Sequence, residues 1–69
     1  MDLLEIIEQA IKREVSSHRL YSEAAAKAST GESRQLFQRL ASEEQRHKDL
    51  LIAEYERVAG RAVDGEWLF

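Results

Sequence analysis

The sequence predicts an all-α chain, a two-helix antiparallel hairpin that dimerises into a four-helix bundle. Three observations predict it. Apolar residues recur at alternating steps of three and four over two long stretches, one short Ser/Thr/Gly break divides them, and there is no proline anywhere. At 69 residues with no cysteine, a chain this short needs a partner chain or a metal to offset its conformational entropy.

Asp2 with Glu5 three residues later has the form of a capping box, which starts the first helix near residue 2. From Leu4 the stepping runs through Ile7, Ile11, Glu14, His18, Tyr21, Ala25 and Ala28. This seam is apolar at both ends and polar in its middle. The break is Ala28 to Ser33, where Gly31 is expected to turn left-handed and Ser29 or Thr30 to cap the next helix. Beyond it the stepping resumes at Phe37, Leu40, Glu44, His47, Leu51, Glu54 and Val58, with Leu36, Leu50 and Tyr55 widening the stripe. Gly60 is placed to stop this helix after Ala59. Residues 1–59 thus form the hairpin and 60–69 a tail. The tail ends on Trp67-Leu68-Phe69, which either folds back on the bundle or a neighbouring subunit, or docks on another partner.

A pair of helices covers only one side of each seam, so a second hairpin is expected to close the core, as a homodimer or as a ring of dimers. The composition narrows the rest. With 43% hydrophobic and 33% charged residues, disorder is disfavoured. The net charge is −3 and the basic residues are scattered, so no nucleic-acid footprint is expected. The absence of cysteine removes disulfides, zinc-thiolate and iron-sulfur centres and thiol nucleophiles. No apolar run approaches the roughly 18 to 20 residues of a membrane span, and the acidic start Met1-Asp2-Leu3-Leu4-Glu5 is unlike a signal peptide. A cytoplasmic chain is the expectation.

The polar middle of the seam carries the chemistry. Glu14 and Glu44 each lie about 21 to 24 Å from the turn along their helices, so they meet at one level. His47 follows Glu44 by one turn in Glu44-Gln45-Arg46-His47. An isolated Glu-x-x-His is usually a solvated stretch of helix. Here all three residues fall on the apolar seam, the glutamates match in height, and apolar residues flank them. A two-fold dimer would gather four carboxylates and two imidazoles, a complete ligand set for two metal ions. Without counter-charge, burying those carboxylates would cost many kcal/mol. Oxygen-rich ligands with nitrogen suit iron, with manganese or zinc as substitutes.

Ala10-Ile11-Lys12-Arg13-Glu14, Tyr21, Ala24-Ala25-Ala26, Leu36-Phe37, Leu40-Ala41, Glu43-Glu44 and His47 together resemble the rubrerythrin-like branch of the ferritin-like superfamily, over about residues 8 to 58. The resemblance implies that Glu14, Glu44 and His47 are iron ligands and Tyr21 an outer-sphere tyrosine. It implies two iron ions per dimer. Rubrerythrins usually hold two such hairpins and a cysteine-rich domain in one chain. This chain holds one hairpin and no cysteine, so it is more similar to the encapsulated ferritins, which form a ferroxidase centre between chains and are housed in encapsulin shells. That likeness implies a place inside a protein nanocompartment. The tail departs from the Gly-Ser-Leu-Arg type of cargo peptide, although Trp67 to Phe69 could dock on such a shell.

His18 occupies a seam position where the family has no ligand, and reads as an accessory metal ligand, a half-exposed histidine or a donor to a carboxylate. Glu54 reads as a solvated helix-end residue or a station for incoming cations. The function expected is a di-iron ferroxidase for iron storage or detoxification. The alternatives are a rubrerythrin-like di-iron oxidase or peroxidase, and a metal-free helical dimerisation module.

Overall fold

A computed structural model describes residues 1–69 as two long antiparallel helices and a short folded-back tail. Helix α1 spans Leu3–Lys27, α2 spans Gly31–Ala59, and a 3-10 turn, η1, spans Gly65–Leu68. There is no strand. The hairpin is 44 Å along its long axis, and neither helix is long and apolar enough to cross a membrane.

Each helix begins at the cap its sequence provides. The Asp2 carboxylate accepts from the Glu5 amide at 2.8 Å, and the Thr30 hydroxyl accepts from the Ser33 amide at 3.1 Å. At the far end Gly60 takes the left-handed conformation, φ 70°, and its amide closes on the Glu56 carbonyl. Gly31 does not behave as expected. It has no positive φ and is the first residue of α2, because Ala28 leaves α1 in an extended conformation and Thr30 starts the next helix directly.

Only Ile7, Ile11, Val15, Ala25, Ala41 and Tyr55 are buried. Ile7, Ile11 and Tyr55 form the core at the open end of the hairpin, and Leu4, Leu51, Ile52, Ala59, Val63, Trp67 and Leu68 pack around it. The last three belong to the tail, which doubles back rather than projecting. Trp67 meets Tyr55 edge-on at 4.9 Å, Lys12 lies over the Trp67 ring, and Arg61 lies over Tyr55. The Val63 amide donates to the Glu56 carboxylate, and the Asp64 carboxylate caps η1. Phe69 alone of the apolar end stays free, 86% exposed.

The tail covers one side of the hairpin. The large apolar side chains that remain exposed on the helices are Leu3, Ile6 and Leu20 of α1 and Leu36, Leu50 and Val58 of α2. Leu3, Ile6 and Leu20 fall on a line one residue out of step with the seam, and Leu36 and Leu50 do the same on the antiparallel helix. With 100° between residues, that offset turns both lines to the same long face. It is the face away from Lys12 and Trp67.

Removing the tail's anchor should uncover the open-end core. Trp67→Ala is expected to lower the unfolding free energy by about 2 kcal/mol, below the roughly 3 to 5 kcal/mol for a core aromatic because Trp67 is only partly buried. Urea unfolding followed by circular dichroism checks it, and the native helix content should not change.

Candidate metal centre

The polar stretch of the seam lies on α1 and α2 at one height. Glu14 faces α2 from mid-α1, one turn beyond buried Ile11 and next to buried Val15. Glu44 and His47 share a face of α2, one turn beyond buried Ala41. One ligand atom from each of Glu14, Glu44 and His47 fits within a mutual spacing of 4.8 Å.

The His47 Nδ1 is 3.7 Å from a Glu14 oxygen and 3.7 Å from a Glu44 oxygen. Those separations exceed a hydrogen bond, so the imidazole stands between two carboxylates without bonding to either. Glu14 and Glu44 side chains keep 21% and 19% exposure, and His47 43%. The Oε2 of Glu14 is fully covered and has no hydrogen-bond partner. A buried, unsatisfied carboxylate oxygen beside a second carboxylate is costly in a metal-free chain. A cation placed among the three side chains would satisfy it. The donor set, hard oxygens with one imidazole nitrogen, fits Fe(II).

Burial raises the Glu14 carboxyl above its ordinary value of 4.5, and the close approach of the Glu44 carboxylate raises it further. His47 partly opposes both effects.

The remaining sequence candidates lie apart from this cluster. Tyr21, two turns along α1 from Glu14, stacks on Phe37 at 6.2 Å with the rings 23° apart, and its hydroxyl makes no hydrogen bond within the chain. His18 is outside the ligand cluster, and its Nδ1 donates to the Ala41 carbonyl at 2.9 Å. Glu54 is paired with Arg57, whose hydrogen bonds hold the Glu54 carboxyl below the usual range. A neutralised carboxylate is a poor first stop for a cation.

The rubrerythrin family model matches residues 5–64, a span that takes in both helices and the whole Glu14, Glu44, His47 cluster. The chain belongs to the rubrerythrin family. No curated protein and no solved structure gives a match. Within this rubrerythrin-family domain a single hairpin supplies two glutamates and one histidine, half of the helical di-iron ligand set in which two helices give a Glu and two give Glu-x-x-His.

The elevated Glu14 fixes the sign of a pH effect. A carboxyl with a raised folded-state value binds more protons folded than unfolded, so its stabilisation is complete at low pH and lost as pH rises through that value. The depressed Glu54 acts oppositely, but only once the pH falls into the lower carboxylate range. The metal-free protein is therefore expected to melt at higher temperature as pH is lowered from 7 toward 5. Glu14→Gln should flatten that slope, and calorimetry of chelator-treated protein at stepped pH checks both.

Proposed function

We propose that this rubrerythrin-family domain is a ferroxidase that binds two Fe(II) between two copies of the hairpin and releases Fe(III). The observation that carries the reading is the convergence of Glu14, Glu44 and His47 around a buried, unpartnered Glu14 oxygen. The exposed apolar stripe of Leu3, Ile6, Leu20, Leu36 and Leu50 supports the second copy, since five large apolar side chains beside a polar cluster mark an association surface. Two-fold pairing on that stripe would bring two triads together as four carboxylates and two imidazoles.

Fe(II) is the substrate, and each ion gives up one electron. Two ions reduce one dioxygen, which takes up two protons and leaves as hydrogen peroxide. Peroxide can replace dioxygen as oxidant, taking one electron from each of two Fe(II) and two protons to give two waters. The protein's part is electrostatic. Glu14 and Glu44 present anionic oxygens, which favour the higher charge of Fe(III) and so drive the electron loss. His47 contributes a neutral nitrogen and adds no further repulsion. Burial and Glu44 disfavour the charged form of Glu14, and an arriving cation opposes both effects and favours the ionised carboxylate. Storage of the product would take place outside the hairpin, in a partner shell or another acceptor.

Anaerobic Fe(II) titration should saturate at two ions per dimer, and an oxygen pulse should then produce the Fe(III) absorbance. His47→Ala should slow that oxidation by at least about tenfold, since even losses beyond the direct ligands weaken metal sites by that much. Oxidation by His47→Ala at the native rate would rule out this ligand set. Pulsing with peroxide in parallel identifies the preferred oxidant.

The pairing surface has its own test. Sedimentation equilibrium of the metal-free chain should give a dimer at micromolar concentration, and Leu50→Asp, a charge placed in the exposed stripe, should shift it to monomer. A helical, stable native monomer would sink the shared site.

A further inference from the structure

Between α1 and α2 there is a single hydrogen bond, from the His18 ring to the Ala41 carbonyl, and it sits at the edge of the metal cluster. We infer that His18 is a positioning residue that holds the two helices in the register that brings Glu14 and Glu44 together. This inference rests on the metal-binding reading of the cluster.

A carbonyl oxygen only accepts, so Nδ1 of His18 carries the proton and donates it to Ala41. In the neutral ring that bond defines the tautomer, with the proton on Nδ1 and the lone pair on Nε2. The Ala41 carbonyl lies within α2, and its second lone pair is available beside the helix ladder. Ala41 and Ala25 are both buried, 6% and 7% exposed. Small side chains at these positions let the backbones approach closely, and they leave the Ala41 carbonyl open to a ring from the other helix.

The bond's placement gives it a use beyond stability. His18 is one turn along α1 from Glu14, and Ala41 is one turn along α2 before Glu44. Apolar contacts resist separation of two helices but tolerate sliding along the axis, because they are non-directional. A hydrogen bond does not, since its geometry fails beyond a few tenths of an ångström and it weakens steeply below about 120°. Slippage of α1 against α2 would separate Glu14 from Glu44 and His47, which bond to one another nowhere in the chain. The remaining side-chain hydrogen bonds of α1 and α2 stay within one helix, at a cap, at the turn where Arg34 reaches the Ala28 carbonyl, or at the tail. His18 is thus the one directional tie near the cluster.

Two substitutions separate the bond from the bulk of the ring. His18→Asn retains a donor close to the position of Nδ1, whereas His18→Leu keeps apolar volume and removes the donor. The probes are Co(II) and anaerobic Fe(II) added to the full chain, beside His47→Ala as the control that removes a ligand. His18→Leu is expected to bind Co(II) about tenfold more weakly, as loss of an outer orienting group does. His18→Asn should remain within about twofold of the native chain. At saturating Co(II), where folding no longer limits occupancy, the visible ligand-field bands should be altered in His18→Leu and should overlay the native spectrum in His18→Asn. A merely structural role would lower the melting temperature and leave those bands unchanged.

Native affinity and native bands in His18→Leu would overturn the positioning role while leaving the metal site standing. Equal losses in both variants would also overturn it, because the donor would then not be what matters. Failure of the native chain to bind either metal would overturn the metal reading, and the positioning role with it. In the metal-free protein, ¹⁵N resonances of the imidazole should report the Nδ1–H tautomer for His18. The Nε2–H tautomer would overturn the tie even where metal binding is normal.

Discussion

Two packed helices can shield only the strip along which they touch. In this chain that strip buries six residues, and everything else about the structure follows from how the surrounding surface is managed. At the open end, Trp67 and Leu68 lie down on Ile7, Ile11 and Tyr55, adding a third layer where a two-helix core would otherwise meet water. Toward the turn, Ala25 and Ala41 bring the helices close enough for a side chain to reach a main-chain carbonyl. Between these ends the strip turns polar, and it does so at one height on both helices.

A polar stretch inside a seam this thin has consequences that the same residues would lack on an open helix. Water that would ordinarily solvate Glu14 is excluded from one of its oxygens, and the nearest groups are another carboxylate and an imidazole beyond bonding distance. The local arrangement is therefore strained electrostatically while being secure mechanically, since the flanking apolar residues hold it in place. Such a combination is wasteful in a purely structural hairpin. It is sensible where a cation is to be received, because the binding of positive charge relieves the same repulsion that isolation creates.

The helix ends and the cluster were legible because both are written in local spacing. Asp2, Thr30 and Gly60 mark boundaries that depend on a few neighbouring residues, and Glu14, Glu44 and His47 declare themselves by sharing a helical period with Leu4, Ile11, Leu40 and Leu51. What escaped the sequence depends on approach between distant parts. The acceptor for His18 is the backbone of Ala41, and a carbonyl leaves no mark in the order of side chains. The return of Trp67 and Leu68 to the bundle is expected from their apolar character, but their seat on Tyr55 depends on how the chain reverses after Gly60, which ten residues with two glycines do not specify by pattern. Gly31 leaves its left-handed freedom unused for a simpler reason. Glycine beside a helix end suggests a left-handed stop, yet glycine is also acceptable in the first turn when Thr30 before it caps the helix.

The folded-back tail also reduces the apolar surface that the hairpin offers to the outside. A bare helical pair would be adhesive on both long faces, and bodies with two unlike sticky sides stack head to tail into open chains. Here Val63, Trp67 and Leu68 occupy one side and Lys12 and Arg61 dress it with charge, while the exposed line of Leu3, Ile6, Leu20, Leu36 and Leu50 lies on the opposite face. Were two copies to pair through that face, as proposed, each unit would have a single adhesive side, and the assembly would close instead of growing.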